Sequence, residues 1–161
     1  MSPGSTAPRK RGAVLLLAAA ALIMGCTNRS ADASTPAGWV RECPGEAFCF
    51  SRPASLVLQP TQAIDSLSAR YQGDGLRLVF DMGLYGISVD HLVSPAKETL
   101  TIDGRPAQML FSAHEIALLV PKVHERGGRA VKFSMTLSSD GNMSRQLAQS
   151  IFQSVEFKPQ R

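Results

Sequence analysis

No stretch of about 20 apolar residues, the length a helix needs to cross a ~30 Å hydrocarbon core, occurs in this 161-residue chain. That excludes an integral membrane helix bundle, and 44% hydrophobic against 19% charged residues excludes a disordered chain. Nothing recurs at a period of about 20 to 50 residues, so a solenoid is excluded. Glycine (13) and proline (10) are near average, which excludes collagenous and low-complexity chains. Chemical signatures are equally scarce. There is no Gly-x-Ser-x-Gly elbow for a serine nucleophile. Gly73-Asp74-Gly75 lies between two strand patterns, so it reads as a hairpin turn and not as a phosphate cradle. His91, His114 and His124 have no His or Cys at a ligand spacing, so neither a metal nor a cofactor is expected. No Asp or Glu precedes Asp32. Without Arg9, Lys10 and Arg11, Lys plus Arg falls from 17 to 14 against 13 Asp plus Glu, so the net charge of +4 shrinks to +1 and nucleic acid is not an expected partner.

What is present begins with an address. Arg9-Lys10-Arg11 precedes an uncharged run from Gly12 to Gly25, a basic segment followed by an apolar core, as in a secretory signal peptide. The run ends in Leu22-Ile23-Met24-Gly25-Cys26, with an aliphatic residue three before a cysteine and a small residue directly before it. This string resembles the lipobox of bacterial lipoproteins. The resemblance implies a diacylglyceryl group on the Cys26 sulfur, cleavage before Cys26 by signal peptidase II, and acylation of the new amine in many bacteria. Multiple acyl chains, at ~0.8 kcal/mol per buried methylene, hold a soluble domain to a membrane durably. Thr27, in place of an aspartate, is compatible with sorting to an outer membrane. Residues 1–25 are thus expected to be a signal peptide. Residues 26–38, rich in Ser, Thr, Ala, Asn and Asp, are expected to be a flexible linker, and 39–161 a single globular domain starting at Trp39.

Three cysteines in an exported chain leave one thiol over, and lipidation of Cys26 removes that oddity. Cys43 and Cys49, with five residues between them that include a Pro44-Gly45 turn, are expected to form a structural disulfide. Closing so short a loop contributes on the order of 2 kcal/mol. Redox use is disfavoured, because a two-residue spacer opening a helix is missing and Phe48-Cys49-Phe50 reads as the start of a strand.

Period-two patterns dominate the domain. Ser66–Gln72 and Leu76–Met82 predict a hairpin with a three-residue loop, and Glu98–Ile102 with Ala107–Phe111 predict another around Asp103-Gly104, where Pro106 marks an edge or a bulge. Ile116–Val120, bounded by Pro121, predicts a central strand covered on both faces. In Ala130–Ser138, Val131, Phe133, Met135 and Leu137 would face the core, and Lys132, Ser134, Thr136 and Ser138 the solvent. Asp140-Gly141-Asn142 would cap an amphipathic helix of about twelve residues, followed by a short extended Val155–Phe157. The expected class is α+β: a mostly antiparallel sheet with the C-terminal helix packed on one face. In layout this resembles the small α/β sandwich of PsbP-like and Mog1-like proteins, a likeness that implies no particular activity.

Two loops draw functional interest. The connection from Gly83 to Ala96 exceeds the ~4 to 6 residues usual between elements and carries Tyr85, Asp90 and His91 as a candidate binding loop, with Leu84, Ile87, Leu92 and Val93 able to tuck it over the sheet. With Asp81 it also offers an Asp–His pair for acid–base work. Lys122–Arg129 reads as a solvated turn whose cations would meet anionic headgroups if it faced a bilayer. The expected function is a lipid-anchored cell-envelope lipoprotein, facing the periplasm or the exterior with the outer membrane favoured, whose non-enzymatic domain binds an envelope protein or a small ligand. The alternatives are an envelope-acting enzyme using Asp81, Asp90 and His91, or a carrier holding an apolar ligand between sheet and helix.

Overall fold

A computed structural model of the protein describes residues 35–61, 65–92 and 95–159. The expected signal peptide, Cys26, most of the linker, and Val93 lie outside the described residues. The strands are β1 (Trp39–Glu42), β2 (Phe48–Pro53), β3 (Val57–Gln59), β4 (Leu67–Gly73), β5 (Leu76–Gly83), β6 (Ala96–Ile102), β7 (Arg105–Phe111), β8 (Glu115–Arg126), β9 (Arg129–Ser139) and β10 (Glu156–Phe157). One helix, α1, spans Arg145–Gln153. The fold is therefore mostly β, and the α+β expectation is corrected: a nine-residue helix is a minor part of the layer facing the main sheet.

The main sheet has seven strands in the order β3-β4-β5-β9-β8-β7-β6, every neighbour antiparallel. Its tight turns follow from residues that tolerate positive φ. Asp74 and Gly75 (φ 51° and 69°) join β4 to β5 through two residues, because Gly73 itself pairs with Leu76 and the expected three-residue loop is one too long. Asp103 and Gly104 (φ 45° and 75°) join β6 to β7 in the same way, and Gly127-Gly128 (φ 58° and 73°) join β8 to β9. Pro106 sits in β7 where the β7–β8 ladder has not yet begun, so its missing N–H disrupts nothing. Pro121 does not end β8. The strand passes through it by a bulge in which register jumps from Val120↔Phe133 to His124↔Val131, and most of the expected solvated turn Lys122–Arg129 is strand.

One face of this sheet carries Leu78, Phe80 and Met82 of β5, Ile116, Leu118 and Val120 of β8, and Val131, Phe133, Met135 and Leu137 of β9, all buried. Against it lie α1 and a second sheet, β1-β2-β10, built from the two ends of the domain. Phe48 of β2 sets its ring edge-on to Phe80 and Phe133, at centroid distances of 5.0 and 4.9 Å. The helix buries Ala148, Ile151 and Phe152. Its cap is Ser144, whose Oγ accepts from Leu147 N at 3.2 Å, so the helix starts later and is shorter than the twelve residues expected. Because β5 and β6 run in the same direction with three strands between them, the chain must cross the sheet. Four strand spacings and five residues of rise make that path about 25 Å, which explains the length of the Gly83–Ala96 connection. It crosses the face opposite the core. Ile87 N donates to Ser134 Oγ at 2.7 Å, and Ser134 and Thr136, expected in solvent, are buried beneath it at 2% and 7% exposure.

Candidate functional site

The residues of the crossover do not assemble into one centre. Tyr85 is 71% exposed, with the Arg129 guanidinium 5.8 Å from its ring centroid. The Asp90 carboxylate accepts from Ser88 Oγ at 2.9 Å, a contact within its own turn. His91 Nε2 lies 3.2 Å from both carboxylate oxygens of Glu115. Asp81 instead accepts from Ser66 Oγ at 2.5 Å. Asp81 is in register with Ser134 and Glu115 with Ser138, so Asp81 and the His91–Glu115 pair are separated by about 13 Å along β9. An Asp81–His91 dyad is not what the structure brings together.

It brings together other groups. A cleft of about 580 Å³ opens at the end of the sheet where β5 finishes and the β8–β9 hairpin turns, and Asp81 and Tyr85 line it with Asp65, Ser66, His124 and Arg126. Each is placed by local geometry. Ser66 stands against Gly83, where an added Cβ would meet the Ser66 Cβ at 2.8 Å, so only glycine lets β5 end beside it. Past the β8 bulge, strand alternation puts His124 and Arg126 on one face, with Val131 across from His124. Asp65 and Asp81 contribute negative charge to the cleft, and neither forms an ion pair with a described residue. Arg126 contributes positive charge and is likewise unpaired among the described residues. His124 is half-buried, its Nδ1 enclosed without a hydrogen-bond partner among them. Burial, reinforced by the cations Arg105 and Arg126, pushes its pKa below the ordinary histidine value, so it is a neutral imidazole at pH 7.

The hairpin pattern on either side of Gly127-Gly128 could have put His124 and Arg126 on one face, but it carries no sign that Asp65 and Asp81 line the same cleft. Between helix and sheet, where an apolar carrier would hold its cargo, Ala148, Ile151 and Phe152 are fully buried in the core cluster. No group of three or more His, Cys, Asp or Glu side chains converges as a metal site among the described residues, and no described helix is long and apolar enough to cross a membrane. Cys43 and Cys49 form a disulfide, tying the loop after β1 to the buried start of β2.

No family model, curated protein or solved structure matches the chain.

Proposed function

We propose that this chain is a lipoprotein of the bacterial cell envelope, anchored to a membrane by acyl chains on Cys26, whose domain is a non-enzymatic binding module facing the periplasm or the exterior. The carrying observation is cysteine placement. Of three cysteines, two are paired in the Cys43–Cys49 disulfide, and the third closes the Leu22-Ile23-Met24-Gly25-Cys26 string at the end of an apolar run. A disulfide belongs to an oxidising compartment, and acylation gives the remaining sulfur a partner.

The position of the cleft supports a binding role. β1 starts at Trp39, paired with Pro53, whereas the cleft borders Ala47 beside the other end of β2. The six residues of β2 put about 17 Å between these ends, so the chain joins the domain on the side away from the cleft. A linker of thirteen residues, 26–38, reaches at most about 45 Å, enough to hold the domain clear of headgroups with the cleft directed outward.

Membrane fractionation of the expressed chain and of a Cys26→Ser variant, with intact-mass analysis of each mature N-terminus, tests the anchor. The native chain is expected in the membrane fraction with fatty acyl mass on Cys26, and the variant released or unprocessed. Identical unmodified N-termini in both overturn the proposal.

A further inference from the structure

The cleft at the end of the main sheet presents opposite charges that do not neutralise one another. Asp65 and Asp81 stand with the hydroxyl of Ser66, and Arg126 belongs to the β8–β9 hairpin; among the described residues no ion pair joins the two sets. Leu67, Met82 and Val131 supply apolar surface to the same cleft. At about 580 Å³ it falls within the size range of sites for small molecules and short peptides. The Asp81 carboxylate is already oriented by Ser66 at 2.5 Å, so one of its oxygens is held in place before any ligand arrives. His124, neutral because burial and two arginines oppose its protonation, adds hydrogen-bonding capacity without adding charge.

We propose that this cleft binds a zwitterionic amino acid or short peptide, its ammonium group on Asp65 and Asp81 and its carboxylate on Arg126. The charge arrangement selects for that class. A phosphorylated or polyanionic ligand meets two carboxylates against one arginine, and a simple polycation leaves Arg126 facing like charge. A ligand with both groups satisfies both sides and lays its uncharged backbone over the apolar surface. The inference deepens the binding-module reading and rests on it.

The test uses the full chain purified in detergent, titrated calorimetrically at low salt with unblocked alanine peptides of one to four residues, their N-acetylated forms and their C-terminal amides. One of the unblocked peptides is expected to bind, with affinity falling about tenfold or more when either terminus is blocked. Arg126→Gln is expected to remove the discrimination against the amide, and Asp65→Asn to weaken the discrimination against the acetylated peptide. Both side chains are exposed, so neither change threatens the fold. Absence of binding at millimolar peptide, equal binding of blocked and unblocked forms, or variants that behave as the parent each overturn the proposal. Intact mass of the same preparation separates this from the anchor. Acylation without peptide binding sinks the cleft assignment alone, and peptide binding by an unacylated chain sinks the anchor alone.

Discussion

Ile87 and Ser134, 47 positions apart, are joined by a hydrogen bond of 2.7 Å from the Ile87 backbone N–H to the serine hydroxyl oxygen. Gly86 fits beside it because an added Cβ would come within 3.3 Å of that same oxygen. The bond fastens the β5–β6 crossover to the back of β9 and explains a buried serine on a strand face that alternation assigns to water.

Ser134→Ala is expected to cost about 1–2 kcal/mol, since it leaves the Ile87 N–H without its partner in a partly buried site. Chemical denaturation measures the loss. Amide hydrogen exchange localises it: protection at Ile87 falls, while protection across the β8–β9 ladder beyond Ser134 is kept. Unchanged exchange at Ile87 would mean that the crossover is held by other contacts.

Glu42 joins the two sheets. Its carboxylate accepts from the Tyr71 hydroxyl at 2.5 Å and pairs with Arg52, which is only 8% exposed and lies 4.7 Å from the Tyr71 ring centroid. Glu42→Ala is expected to destabilise by about 3–5 kcal/mol, because it strands a largely buried guanidinium. Tyr71→Phe removes one hydrogen bond and costs about 1 kcal/mol, and the double mutant loses less than the sum. Burial first, then the hydrogen bond to and charge of Glu42, push the Tyr71 phenol well above its ordinary range. That raised pKa contributes stability that is complete below the unfolded phenol value of about 10 and is lost as pH rises beyond it. Ultraviolet titration is expected to show Tyr71 ionising only as the protein unfolds.

His124 makes the opposite contribution. Its pKa is lowered by burial and then by Arg105 and Arg126, so the folded state resists the proton that the unfolded state accepts near pH 6.5. The unfolded chain binds more protons below that pH, and stability falls as pH drops below about 6.5 toward the depressed folded value. A His124→Gln variant is expected to lose less stability than the parent over that interval. Urea midpoints measured from pH 7.5 to 5 check it, and parallel curves would refute it.

Several elements were readable because their causes are local. Asp-Gly at 74–75 and 103–104 takes the positive φ that a two-residue hairpin demands, and alternation from Val131 to Leu137 marks the core face of β9. Even these had limits: Gly73 pairs within the ladder, and β8 continues beyond Pro121 because a bulge absorbs the missing N–H. The amphipathic spacing of α1 is clear in the sequence, but much of the layer it shares is a sheet whose strands β1, β2 and β10 are short and meet from opposite ends of the domain.

The sequence by itself determined the hairpin turns, the alternating core face of β9 and the pairing of Cys43 with Cys49, because each depends on backbone preference, side-chain period or a spacing of a few residues. Tertiary structure alone decided that Phe157 pairs with Phe48, that Ile87 lies over Ser134, and that Asp65, Asp81, His124 and Arg126 line one cleft. Those contacts join residues tens of positions apart. They follow from strand order and from burying two sheets against each other, which no local preference encodes.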